Sequence, residues 1–90
     1  EEAQAMGLVW KVFDDTSFAA DLSAFLAPFA QGPAVAYRLI KEAFSKSLDH
    51  DFAEQLALES ALQSRAGKTD DFMEAIAAFA MKRPPQFKGK

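Results

Sequence analysis

Apolar side chains recur at helical spacing along most of the chain after residue 15. The first such set is Phe18, Leu22, Phe25, Leu26 and Phe29. Because residues three and four positions apart share one face of an α-helix, this spacing predicts a helix with a single buried stripe. We expect Thr16 to cap this helix. Pro28 lies inside the pattern and removes a backbone hydrogen bond, so we expect a kink or an early end there.

A second helix is predicted after the Gly32-Pro33 pair, because the fixed φ of Pro33 suits the first position of a helix. Its apolar positions are Val35, Ala36, Leu39, Ile40, Ala43 and Phe44. We expect it to run to about Leu48, with Arg38 and Glu42 paired on its outer face.

A third helix is predicted to begin at Asp51, which together with Glu54 has the spacing of a capping box. Its inward positions are expected to be Phe52, Leu56, Leu58, Ala61 and Leu62, with Gly67 just past its end. These apolar positions are spread widely around the helix. We therefore expect this helix to contact more than one neighbour, one of them in another subunit.

The fourth main helix is predicted within the last 20 residues, with Thr69 or Asp70 as its cap. Phe72, Ile76 and Phe79 fall on one broad apolar face. Pro84 and Pro85 cannot continue a helix, so the chain should end in an extended tail that exposes its backbone and carries Phe87.

The amino-terminal residues have a different pattern. Residues 1–6 are typical of the end of a helix closed by Gly7, and residues 8–13 (LVWKVF) are typical of a short extended segment. No partner strand for this segment is evident in the chain. We therefore predict an all-α fold with four main helices in residues 16–90, preceded by a truncated helix and an extended arm in residues 1–15 that belong to another domain.

Composition narrows the possible functions. The chain has 90 residues, a net charge of −3 and no cysteine, and it begins at Glu1. The lack of cysteine is compatible with a cytoplasmic protein, which is what we expect. Basic residues are scattered among acidic ones, which argues against a nucleic-acid partner. The longest apolar run, residues 75–81, is too short for a membrane span. The only histidine, His50, lies between Asp49 and Asp51, which predicts turn and cap chemistry and neither a metal site nor a catalytic residue.

The carboxyl end also carries a recognisable motif, D-x-x-E-(small)-x-x-A-F-x-x-K-R-x-P-x-F-x-G-K. Its positions are Asp71, Glu74, Ala75, Ala78, Phe79, Lys82, Arg83, Pro85, Phe87, Gly89 and Lys90. This order resembles the carboxyl end of the enoyl-CoA hydratase/isomerase (crotonase) superfamily, and the likeness extends through residues 5–9, 32–33 and 39–43. Residues 8–15 and 62–68 look most like the ring-epoxide isomerases of bacterial phenylacetate breakdown.

The resemblance implies a binding role for Lys82. In families with this motif, the matching lysine comes from a neighbouring subunit and reaches the adenosine-phosphate end of coenzyme A; the alternative is a lysine that favours a helix C-terminus by its charge. Phe79 would border the same adenine pocket, or else belong to the core, as aromatics at helical spacing often do. Two positions depart from the pattern: Ala75 stands where glycine is usual, and Gln63 where some relatives have an aromatic residue.

The resemblance also implies that catalysis and subunit assembly depend on different parts of the protein. The family's oxyanion hole and catalytic acid lie in an amino-terminal domain, so this chain would be a non-catalytic piece that covers the acyl-CoA site and builds homotrimers or hexamers. The whole protein would act on a CoA thioester substrate through an enolate, with no covalently bound cofactor. The alternative is a self-sufficient helical self-association module with no enzymatic parent.

Overall fold

The computed structural model describes residues 1–90 as five helices joined by short connections. They are α1 (Glu2–Ala5), α2 (Phe18–Ala30), α3 (Ala34–Lys46), α4 (Phe52–Ala66) and α5 (Asp70–Ala80). The chain forms no strand. The predicted all-α fold with four main helices is therefore confirmed.

The helix ends are set mostly by the residues that the sequence indicates. Gly7 adopts φ +76° after α1, and the N–H groups of Gly7 and Leu8 donate to Gln4 and Ala3, the pattern of a Schellman motif. Asp51 and Glu54 form the predicted capping box at α4. The Thr69 hydroxyl accepts from the Phe72 N–H at 3.1 Å, so Thr69 caps α5.

The structure differs from three local expectations, namely the cap of α2, an early end of α2 at Pro28, and Pro33 as the first residue of α3. The residue before α2 is Ser17, not Thr16, and its hydroxyl donates to Asp21 at 2.6 Å. Pro28 does not end α2 early, because it lies so near the carboxyl end that the lost hydrogen bond affects only the last turn. Pro33 precedes α3 instead of forming its first residue, and α3 ends at Lys46.

Helices α3 and α4 form the main packing pair. Leu39 of α3 and Leu62 of α4 are buried, at 4% and 5% exposure. Glu42 does not pair with Arg38 as predicted; its carboxylate lies 3.4 Å from Arg65 of α4 instead. Glu42 pairs with Arg65 because the packing of α3 on α4 brings these two residues together.

The chain is flat and widely spread. Its radius of gyration is 16.9 Å and its extents are 43 × 39 × 19 Å, whereas a compact domain of this length has a radius of gyration of about 12 Å. Only Leu39, Leu62, Ala78 and Asp71 are buried. A chain that is half hydrophobic in composition therefore leaves most of its large apolar side chains exposed.

The amino-terminal arm is attached through one aromatic residue. The ring of Phe13 packs edge-on against Phe18 and Phe25, with ring centroids 6.1 and 5.9 Å apart. The Lys11 ammonium lies 4.9 Å from the centre of the Phe13 ring, within the range of a cation–π contact. Residues 11–14 have no regular secondary structure, while Trp10 is 82% exposed. The arm is thus held by ring packing and not by a strand ladder.

Candidate functional site

Helix α5 faces inward with its acidic and small residues. Asp71 and Ala78 are buried at 3% and 1% exposure, whereas Ile76 is 49% and Phe79 87% exposed. The broad apolar face of Phe72, Ile76 and Phe79 that the spacing predicts is therefore not buried within this chain. The reason lies in the tail, which folds back over the acidic side of α5 and supplies hydrogen-bond donors to its carboxylates.

Asp71 receives the end of the tail. Its Oδ1 accepts from the backbone N–H of Lys88 at 2.6 Å and its Oδ2 from that of Gly89 at 2.9 Å. Its own backbone N–H donates to the carbonyl oxygen of Lys90 at 3.0 Å. A carboxylate buried at 3% exposure is stable here because both oxygens have donors.

Glu74 holds the beginning of the tail. The Arg83 guanidinium donates through Nη1 to Oε1 at 2.6 Å and through Nη2 to Oε2 at 3.0 Å, and the Gln86 N–H donates to Oε1 at 2.8 Å. The hydrogen bonds from Arg83 and then from Gln86 lower the pKa of the Glu74 carboxyl from 4.5 to about 2. The same contact raises the pKa of the Arg83 guanidinium.

Phe87 completes the tail's attachment. It is partly buried and lines a cavity of about 150 Å³ between α3, α4 and α5, together with Pro33, Ala36, Phe72 and Ala75. Gly89 has φ +74°, and a Cβ there would lie 3.6 Å from the Ala34 Cβ. The expectation that the tail exposes its backbone was wrong, because three of its N–H groups and its aromatic ring find partners on the helices.

Lys82 occupies the turn between α5 and this tail. It is the only non-glycine residue with positive φ, at +51°. Its N–H donates to the Phe79 carbonyl at 3.1 Å, and the Arg83 N–H donates to the Ala78 carbonyl at 3.0 Å. A left-handed conformation costs a residue with a Cβ about 1–2 kcal/mol, so the contacts around the turn must hold it.

Lys82 and Phe79 together form an exposed corner of the molecule. Both side chains are exposed, and Phe79 at 87% is not part of the core of this chain. Of the two interpretations of Phe79, the core position is therefore wrong here. The corner has an aromatic face and an ammonium with no carboxylate partner, since the chain's two ion pairs involve other residues.

A larger groove lies between α3 and α4, with a volume of about 500 Å³. Leu39 and Leu62 form part of its lining, and Ile40 and Phe44 contribute exposed apolar surface at 53% and 74%. Gln63, which stands where some relatives have an aromatic residue, also lines this groove.

The polar residues of the α3–α4 connection have structural partners. Asp51 caps α4, as predicted, and Nδ1 of His50 lies 3.2 Å from Oε1 of Gln55. The hydroxyl groups of Ser45 and Ser47 donate to the carbonyl oxygens of Glu42 and Phe44. No three histidine, cysteine or acidic residues are grouped as a metal site would require.

The sequence model of the enoyl-CoA hydratase/isomerase family matches residues 1–90. The chain belongs to this family. This match leaves the alternative of a helical module unrelated to these enzymes without support.

Named relatives of this enoyl-CoA hydratase/isomerase family member include two bacterial proteins. The chain is 42% identical to a Rhodobacter capsulatus protein named "probable enoyl-CoA hydratase" and 36% identical to the 1,2-epoxyphenylacetyl-CoA isomerase of Escherichia coli, in both cases over all of this chain. It spans 35% and 34% of the lengths of those proteins. The chain thus corresponds to about a third of such an enzyme.

Solved structures agree with the family member's helical arrangement. An enoyl-CoA hydratase subunit I of Geobacillus kaustophilus superposes with a TM-score of 0.90 at 32% identity, covering 99% of this chain and 35% of that one. The enoyl-CoA hydratase of Bacillus anthracis gives 0.87 at 30% identity, with 99% and 34% covered. The flat arrangement of helices is therefore that of the corresponding region in larger enzymes.

Sequence reasoning selected Lys82 and Phe79 as candidate contacts but did not select the residues that hold the turn around them. The signal was present in the motif, because Asp71, Glu74 and Arg83 all belong to it. What the motif does not indicate is that these residues contact one another. As for membranes, no helix here has the length and apolar character needed to cross one.

Proposed function

We propose that the chain is the carboxyl-terminal oligomerisation and CoA-site-covering domain of an enoyl-CoA hydratase/isomerase. The observation that carries this proposal is the flat shape with exposed large apolar side chains. Phe44, Leu48 and Phe52 are 74%, 96% and 84% exposed around the α3–α4 connection. Apolar surface of this kind is characteristic of a face that packs against other protein.

The proposed partners are the enzyme's own core domain and further copies of the same protein. Residues 1–15 would pack with the core domain, since Trp10 is 82% exposed and the arm has no strand partner within this chain. Residues 16–90 would form the helical cover and the contacts between subunits of a homotrimer or hexamer. Helix α4, whose apolar positions are spread widely around it, suits both contacts.

Lys82 and Phe79 are the proposed contacts for the adenosine-phosphate end of coenzyme A bound to a neighbouring subunit. An ammonium without a carboxylate partner is a suitable point charge for a phosphate, and the exposed ring of Phe79 offers an apolar face for adenine. The positive φ of Lys82 belongs to the Schellman turn that ends α5, in which the N–H groups of Lys82 and Arg83 donate to Phe79 and Ala78.

The reaction itself would take place on residues outside this chain. An acyl-CoA thioester would be converted through an enolate, stabilised by donors placed about 3 Å from the developing charge. In this chain, the Asp71 and Glu74 carboxylates are engaged by the tail and Asp51 by its capping box. The oxyanion hole and the catalytic acid would lie in the rest of the protein, so the 90 residues alone should catalyse nothing.

The test is to express the complete reading frame that encodes this chain beside the 90-residue chain itself. The complete protein should hydrate a 2-enoyl-CoA or isomerise 1,2-epoxyphenylacetyl-CoA, and it should sediment as a trimer or hexamer. The 90-residue chain should be inactive on both substrates. A complete protein that converts neither, or remains monomeric, would contradict the proposal.

A further inference from the structure

We propose that Glu74 is a positioning residue for Lys82: by holding Arg83 and Gln86, it fixes the turn that presents the Lys82 ammonium to the adenosine phosphate of coenzyme A. This inference rests on the proposed role of Lys82. It adds a residue that touches no ligand and acts through the turn.

The first support is the place of the contacts. Glu74 binds the side chain of Arg83, the residue directly after Lys82, and the backbone N–H of Gln86 three residues further on. Pro84 and Pro85, between these two contacts, have fixed φ values. The segment after Lys82 is therefore tied down at both ends with a stiff connection between them.

The second support is the strained backbone. Lys82 has φ +51°, which lysine rarely adopts, and the local hydrogen bonds that close the turn run from Lys82 to Phe79 and from Arg83 to Ala78. Without Glu74, Arg83 would lose its side-chain anchor, and only these two hydrogen bonds would keep Lys82 in the left-handed region. The ammonium of Lys82 would then be presented in many directions.

The third support is the distribution of charge. A guanidinium binds phosphate with two parallel hydrogen bonds and would be the stronger competitor for it. Both terminal nitrogens of Arg83, however, are directed at the two oxygens of Glu74, and Nη1 also donates to the carbonyl of Pro84 at 3.1 Å. Glu74 thus keeps Arg83 occupied and leaves Lys82 as the available cation of the turn.

The kinetic test uses the complete enzyme with Glu74→Ala and Lys82→Ala variants. Each is assayed with an acyl-CoA thioester and with the same acyl group on N-acetylcysteamine, which lacks the adenosine phosphate. Both variants should raise the KM for the CoA thioester about three- to tenfold with little change in kcat, since uniform binding energy is lost. The KM for the truncated thioester should not change. If Glu74 merely supported folding, its loss would affect both thioesters alike.

Two further variants sharpen the comparison. Asp70→Ala removes an exposed carboxylate from the first turn of the same helix and should leave both KM values unchanged. Glu74→Gln keeps an acceptor for the Gln86 N–H but loses the charge that holds Arg83, so its effect should be intermediate. A Glu74→Gln effect as large as that of Glu74→Ala would assign the positioning entirely to the ion pair with Arg83.

The outcomes separate this inference from the proposed function. If Lys82→Ala raises the KM for the CoA thioester and Glu74→Ala does not, only the positioning role is overturned. A lower KM in Glu74→Ala would also overturn it, because it would show that a released Arg83 binds the phosphate better. If Lys82→Ala has no effect, the Lys82 contact is wrong and the positioning role is wrong with it.

A structural measurement gives an answer independent of activity. Hydrogen exchange of the peptide spanning residues 80–87 should be faster in Glu74→Ala than in the parent enzyme, because the amides of Lys82, Arg83 and Gln86 lose protection. The peptide covering α4 should exchange at the parent rate. Unchanged exchange across residues 80–87 would overturn the inference.

Discussion

The carboxylate of Asp71 accepts a hydrogen bond from the backbone N–H of Gly89 at 2.9 Å, although 18 residues separate them in the sequence. The same carboxylate accepts from the Lys88 N–H through its other oxygen. Because this group is buried, its two acceptors determine where the tail ends. The tail is joined to α5 at this point.

Asp71→Asn should destabilise the chain by about 1–3 kcal/mol, because an amide has one acceptor oxygen and places N–H groups against one of the two tail donors. Urea unfolding monitored by circular dichroism measures the change. Asp70→Asn is the matched control, since it removes the same charge from the same helical turn at an exposed position. Equal losses for the two variants would show that the effect comes from the helix dipole and not from the tail.

Lys82→Gly should raise the free energy of unfolding by about 1 kcal/mol, because glycine adopts positive φ without a steric penalty. The same variant should weaken CoA binding in the complete enzyme, so that stability and binding change in opposite directions. Lys68→Gly, at an exposed lysine without positive φ, should bring no gain in stability. A loss of stability in Lys82→Gly would contradict the assigned strain.

The contribution of Glu74 should depend on pH in a defined direction. Its pKa is lowered from 4.5 to about 2 by Arg83 and Gln86, with a smaller effect of the Lys88 charge. A carboxyl whose pKa is lowered in the folded state stabilises the fold above the unfolded pKa, and this stabilisation is lost as the pH falls towards the folded value. The difference in unfolding free energy between the parent and Glu74→Gln should therefore be constant near neutral pH and shrink between about pH 4.5 and 2.

Chemical denaturation at a series of pH values tests this dependence. Glu2→Gln serves as the control, because Glu2 lies in α1 and forms no ion pair. The difference in unfolding free energy between Glu2→Gln and the parent should not shrink over the same pH range. A Glu74→Gln difference that stays constant down to pH 2 would contradict the ion-pair assignment.

Replacing two phenylalanines near the carboxyl end with alanine should change the free energy of unfolding by different amounts. Phe87→Ala should lower stability by about 1–2 kcal/mol, because the partly buried ring leaves a cavity between α3, α4 and α5. Phe79→Ala, at a position 87% exposed, should leave stability within about 0.5 kcal/mol and act only on CoA affinity. Thermal unfolding of both variants makes the comparison; a larger loss for Phe79→Ala would place that ring in the core after all.

The 90-residue chain should self-associate at high micromolar concentration, through exposed helix faces or by exchange of the arm between copies. Analytical ultracentrifugation measures this, and a strictly monomeric chain would contradict it. Phe52→Lys should reduce association through the α3–α4 face, since Phe52 is 84% exposed. Ala53→Lys adds the same charge at the neighbouring exposed position and should reduce it less.

The sequence by itself determined the helices and most of their ends. The four main helices follow the 3.6-residue spacing, and Gly7, Asp51 and Thr69 act where they were expected to act. These features are predictable because each depends on groups within one or two turns of the same segment. The capping box, for example, joins residues only three positions apart.

Only the tertiary structure decided which faces are buried and what surrounds Lys82. Apolar spacing placed Phe79 on the apolar face of α5 and left a core position open, yet α5 buries Asp71 because Lys88 and Gly89 return to it with two N–H donors. Glu74 likewise meets Arg83 nine residues away. The physical reason is that hydrophobicity favours burial only where a packing surface exists, whereas a carboxylate can be buried wherever donors saturate it. Both conditions depend on contacts between distant parts of the chain, which local spacing does not contain.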